Sequence, residues 1–143
     1  MKPVLSQILL LVLAVVLAGC ATTSGGKVSK AGPEVRAIER WDLLIARDAA
    51  KAYDYLTPGT RLTEKRDAYA QKMNSRPIRW EKALLYSKNC PTADSCRIAL
   101  QLDINVPLPG VGNAPSLAFV EENWIRDADG AWYYLGPVGK DGK

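Results

Sequence analysis

The chain has 143 residues, with 19 Lys and Arg against 15 Asp and Glu, three cysteines and no histidine. Without histidine it lacks the side chain whose ordinary pKa lies nearest neutrality, and with it the usual Ser-His-Asp and Cys-His triads. The net charge of +4 is no footprint for nucleic acid, because residues 33–137 hold 14 cations and 14 acids and the surplus lies outside them, in Lys2, Lys27, Lys30 and the closing GKDGK stretch.

Residues 2–20 read KPVLSQILLLVLAVVLAGC: one cation, an unbroken apolar run from Ile8 to Ala18, and an end in two small residues, Ala18 and Gly19, before a cysteine. That is the layout of a secretory signal, and the uncharged run is shorter than the roughly 20 residues of a spanning helix. Leu17-Ala18-Gly19-Cys20 resembles the lipobox of bacterial lipoproteins. The resemblance implies that residues 1–19 are removed, that Cys20 becomes the acylated first residue, and that membrane lipid is the chain's first partner. In lipoproteins an aspartate after the cysteine favours the inner membrane; here Ala21 follows, which implies the outer membrane, with the domain facing the periplasm. The stretch 20–32 is rich in Thr, Ser and Gly and reads as a flexible tether with an r.m.s. reach of roughly 20 Å.

One domain's worth of chain remains, 33–137, followed by a flexible tail at 138–143. Pro33 suits a first helical turn, and Ile38, Trp41, Ile45, Ala49, Ala52 and Leu56 follow at spacings of three and four, which predicts an amphipathic helical region. Asp48 can break it and cap a second short helix. Thr57-Pro58-Gly59 reads as a turn, with Pro58 and Gly59 at its two centre positions. Thr63 then reads as the cap of a third helix ending near Asn74. Between Arg61 and Lys88 stand eight cations and three acids, a solvated face of the kind common on helices.

From Ile78 the period changes to two. RIALQLDINV places Ile98, Leu100, Leu102, Ile104 and Val106 on one face and Arg97, Gln101, Asp103 and Asn105 on the other, as in a strand with one buried side. IRWEKALLYSK reads as its hairpin partner, PLPGVGNAPS as a long connection, LAFVEENWIR as the third strand, and DADG as the tight turn before AWYYLGP. Cys90 and Cys96, with PTADS between them, form an even pair in an exported chain and predict a disulfide. Two thiols without histidine cannot complete the usual tetrahedral metal set. Helices first and an antiparallel meander of about four strands after them give an α+β class, with the helices packed on one face of the sheet.

Three stretches, ERWDLLIARDAAKAYDYLTPGTR, TEKRDAYAQ and VEENWIRDADGAWYYL, resemble the nuclear transport factor 2-like superfamily of cone-shaped, cystatin-like domains. The resemblance implies a curved sheet with a pocket between it and the helices. It also implies functions that range from isomerases, cyclases and dehydratases to proteins that only bind or dimerise. The aspartate–histidine pair of the cyclase-like and dehydratase members is missing here, so the resemblance nominates no catalytic residue, metal or cofactor.

Glu122 alternates with Ala118, Val120 and Trp124 and so faces the apolar interior, where an isolated carboxylate resists ionisation; a one-residue slip would put Glu121 there instead. Trp41, Trp80, Trp124, Trp132, Tyr53 and Tyr134 sit on apolar faces and read first as core. Trp41, Trp80, Glu122 and Trp124 are the ligand-binding candidates should the pocket be open. Three functions are compatible with these features. The leading one is a membrane-anchored lipoprotein acting as a non-catalytic binding or interaction domain. The others are a cofactor-free isomerase or lyase working on a small apolar molecule, and a structural envelope protein that dimerises through its sheet.

Overall fold

The computed structural model describes residues 29–137; the expected signal segment, the expected acylation site at Cys20, most of the expected tether and the closing residues 138–143 lie outside the described residues. Pro33 stands at the start of helix α1, Pro33–Ile45, where its missing N–H has no helical partner to lose. The inner stripe of α1 is Ala37, Trp41 and Leu44, joined by two buried arginines, Arg36 and Arg40; Ile38 and Ile45 are half-buried at its margins. The helix ends in a turn in which the Arg47 and Asp48 N–H groups donate to Leu44 and Leu43 carbonyls at 3.1 and 2.8 Å, with Arg47 at φ 61°. Asp48 then caps α2, Ala49–Ala52, by accepting from the Lys51 N–H, and a 3₁₀ turn, Tyr53–Tyr55, comes after it.

The next stretch corrects two expectations. Thr57-Pro58-Gly59 opens a helix instead of forming a turn: the Thr57 hydroxyl accepts from the Thr60 N–H at 3.2 Å, and Pro58 begins α3, Pro58–Thr63. A proline's fixed φ suits the centre of a turn and the first turn of a helix equally, and the capping threonine selects the helix. Thr63 closes α3 and donates back to the Thr60 carbonyl at 3.0 Å, so it does not cap the next helix. That helix, α4, spans Arg66–Asn74, with Lys65 at its start and no side-chain cap.

Four strands complete the domain: β1 (Arg79–Thr92), β2 (Ser95–Leu108), β3 (Gly112–Arg126) and β4 (Trp132–Pro137), hydrogen-bonded in the order β1-β2-β3-β4, all antiparallel. The class is α+β, with the helices against one face of a curved sheet. Ile98, Leu100, Leu102 and Ile104 are buried beneath the helices and Val106 is half-buried, while Arg97 faces out. Three irregularities in the β1–β2 register, between Trp80 and Lys82, Leu85 and Ser87, and Asn89 and Thr92, bend β1 over the helical layer. The β1–β2 hairpin turns at Ala93–Asp94 and carries the Cys90–Cys96 disulfide.

The expected long connection after β2 is absent. Leu108 pairs with Gly112, Pro107 with Asn113 and Asn105 with Pro115, so PLPGVGNAPS forms the end of a hairpin whose turn uses Gly110 and Gly112 at φ 75° and 93°. The prolines survive in strands because β1 pairs with β2 only as far as Asn105 and β4 with β3 only as far as Glu122. Beyond those points each strand of the arm has a neighbour on one side alone, where a missing donor is tolerated.

Candidate functional site

The helices and the curved sheet enclose a cavity of about 420 Å³. Trp41 and Arg40 from α1, Tyr69, Lys72 and Met73 from α4, Arg76 from the connection after α4, Trp80 from β1, Val120 and Glu122 from β3 and Tyr134 from β4 are among the residues that line it. The bridge between Leu56 and Tyr134, with the Thr57 N–H donating to the Tyr134 carbonyl at 3.1 Å, fixes β4 to the helical layer at one wall.

At the floor lies a buried ion pair. Arg40 Nη1 donates to Glu122 Oε1 at 2.8 Å, and both side chains are 3% exposed. The Trp41 indole donates to the same oxygen and the Trp124 indole to Oε2, each at 2.9 Å. Arg40 Nη2 donates to the Tyr69 hydroxyl at 3.2 Å, and the guanidinium lies 3.9 Å from the centre of the Tyr134 ring. Burial works against the Arg40 charge, but Glu122 outweighs it, with help from Tyr69 and Tyr134, and holds the guanidinium pKa above its ordinary value. Arg40 Nε is buried without a partner among the described residues.

Glu122 is therefore inward, as the alternation of β3 predicts, and Glu121 is exposed. It is not isolated, however. Three donors hold it, because an arginine one turn along from Arg36 rises from α1 to meet it. Trp41 and Trp80 line the cavity edge to face, with centroids 5.3 Å apart and planes at 88°. Trp124 is fully buried beneath it, tilted against Tyr134 at 5.9 Å, and forms no part of the lining. The Tyr134 phenol is pushed up to about 12 chiefly by burial, with Arg40 pulling it down and Glu122 pushing it up, and it makes no hydrogen bond among the described residues. Arg40, Tyr69 and Arg76 escaped the sequence reading. The available signal was Arg36 and Arg40, spaced four apart beside Ala37, Trp41 and Leu44 on one apolar stripe, opposite a strand carboxylate.

Chemically, the floor offers a neutralised charge pair with no histidine and no hydroxyl hydrogen-bonded to the carboxylate. The walls are aromatic. No group of side chains suited to a metal occurs among the described residues.

No protein-family profile and no curated relative matches the chain. Solved structures do. The solution structure of a SEC-C motif containing protein from Rhodopseudomonas palustris matches with a TM-score of 0.62 at 13% identity, over 79% of this chain and 82% of that one. A 2.5 Å structure from Catenulispora acidiphila matches with a TM-score of 0.50 at 15% identity, over 73% of this chain and 86% of that one. A proposed ketosteroid isomerase from Shewanella frigidimarina aligns with a TM-score of 0.45 at 15% identity, over 76% and 93% of the two chains. The likeness is one of fold.

Proposed function

We propose that the chain is a lipid-anchored envelope protein whose domain, of the nuclear transport factor 2-like kind, holds a small and mostly apolar molecule in its cavity without chemistry upon it. The anchor rests on the lipobox-like Leu17–Cys20, and Ala21 after it favours the outer membrane and a periplasm-facing domain. The observation that carries the binding role is the cavity of about 420 Å³, within the size range of small-molecule sites and walled by Trp41, Trp80, Tyr69, Met73 and Val120. The absence of catalysis is supported by Glu122, whose two oxygens are held by Arg40, Trp41 and Trp124. A general base has to be free to take a proton from substrate, and this carboxylate is instead the counter-ion that keeps a buried arginine charged. The isomerase or lyase alternative would need that pair to part.

Native mass spectrometry of the lipidated protein extracted from its own membranes tests this. A saturable adduct of a few hundred daltons is expected, and Val120→Trp, which fills the cavity, should abolish it while the fold persists by circular dichroism. An empty wild-type protein, or an adduct indifferent to Val120→Trp, would remove the binding role.

A second reading, dimerisation through the sheet, draws on the outer face. Leu84, Tyr86, Leu117 and Phe119 are exposed, and Tyr86 meets Phe119 edge to face at 5.1 Å. Sedimentation should then give a dimer that Phe119→Glu converts to monomer.

A further inference from the structure

The charged groups around the cavity are not all accounted for by the floor. Arg40 is paired with Glu122, and Lys72 with Glu64. Arg76, exposed at the mouth with its guanidinium 5.9 Å from the centre of the Trp80 ring, has no ion-pair partner among the described residues. The one remaining lining acid, Glu121, is exposed at the cavity's edge, and its position opposite Ala99 belongs to the outer face of the sheet. The charge that the inner cavity leaves open is thus one cation, set against an aromatic wall.

Tyr134 lines the same cavity, and its hydroxyl is a donor without an acceptor among the described residues. The field of Arg76 reaches it, since that guanidinium is among the charges that lower the phenol against burial. Burial dominates and keeps the hydroxyl protonated, so at neutral pH it can only offer its proton to a ligand oxygen or accept a bond. An unpaired guanidinium and a free phenol in the lining of one cavity, together with Trp41, Trp80 and Met73, match a group with two oxygens and one negative charge carried on an apolar body. A doubly charged head would leave one charge uncompensated and place it near Glu122 and Glu64.

We infer that the cavity takes a small monocarboxylic acid, its carboxylate between Arg76 and the Tyr134 hydroxyl and its apolar body against Trp41, Trp80 and Met73. This rests on the binding role proposed above and names its ligand class. Arg76 sets the charge preference, Tyr134 the orientation, and the ion pair of Arg40 with Glu122 keeps the floor neutral so that the carboxylate stays at the mouth.

The test is quenching of tryptophan emission by benzoate, 2-naphthoate and decanoate, each compared with its methyl ester, on the full chain. At least one acid should bind about tenfold more tightly than its ester and weaken as salt is raised. Arg76→Gln should reduce acid binding about tenfold and remove the salt dependence, and Tyr134→Phe should reduce it about five- to tenfold. Both changes should weaken ester binding less than acid binding, because an ester keeps a carbonyl acceptor but carries no charge, and circular dichroism shows that the variants remain folded. Esters bound as tightly as acids, or acids unaffected by both substitutions, would overturn the carboxylate assignment and leave an apolar binding cavity standing. No binding of any acid or ester would overturn both readings.

Discussion

At the scale of single residues, the ion pair of Arg40 with Glu122 decides what the cavity can do. A buried pair of this kind contributes little net stability compared with an apolar pair, but removing one partner leaves an uncompensated charge in the interior. Glu122→Gln should therefore destabilise the domain by about 3–5 kcal/mol, and Arg40→Met, which strands the carboxylate, by a similar amount. The double variant should be no less stable than the worse single one, because Met and Gln are neutral and Gln can still accept from an indole. Chemical denaturation of the three variants measures the coupling, and strict additivity would contradict the pairing.

Tyr134 adds a pH dependence. Its folded pKa of about 12 exceeds the ordinary 10.0, so the native state holds this proton more tightly than the unfolded chain does. The stability linked to it is fully present below about pH 10 and is lost as pH rises towards about 12, amounting to roughly 2–3 kcal/mol. Tyr134→Phe should lose less stability than wild type between pH 9 and pH 11.5 in urea unfolding. An identical decline in both proteins would place the alkaline transition elsewhere.

At the scale of elements, much was legible because periodicity reports burial. RIALQLDINV alternates, and Ile98, Leu100, Leu102 and Ile104 on its inner face are buried; Asp48 caps the helix its position suggests. Apart from Thr63, which closes α3 where a cap was expected, the misreadings share a cause, which is that proline and glycine punctuate several structures alike. Pro58 begins α3, and Pro107 and Pro115 sit inside strands because the sheet thins out around them. No local pattern announces how far β1 and β4 extend, so the arm could not be read from its own residues. The disulfide was legible from spacing together with the expectation of export, and it closes only a short loop. Replacing both Cys90 and Cys96 by Ala should cost about 2 kcal/mol, read as a lower urea midpoint with unchanged slope. An unchanged midpoint would mean that the hairpin holds without it.

At the scale of the whole molecule, the class and the helix-on-sheet arrangement can be inferred from the order of elements, whereas the cavity floor cannot. Glu122 could be placed inward by alternation, but its partner lies 82 positions away on α1, and a cation on an apolar stripe is meaningful only once the sheet curves to meet it. Separation in sequence likewise hides that Arg76 and Tyr134 line one cavity. The tether carries its own expectation: Cys20→Ala should leave the chain unprocessed or release it from membranes, checked by fractionation and acyl labelling, and undiminished labelled protein in the membrane fraction would contradict the lipobox reading.

The central claim is that the cavity holds a molecule and does not transform it. It is tested most directly by weighing what the protein releases: wild-type protein loaded with its own co-purifying ligand is denatured after minutes and after many hours at neutral pH, and the released molecule is identified by mass and fragmentation. One unchanged species at both times is the predicted result. A new species that accumulates with time, and fails to do so when Glu122 is replaced by Gln in protein still able to bind, would contradict the account.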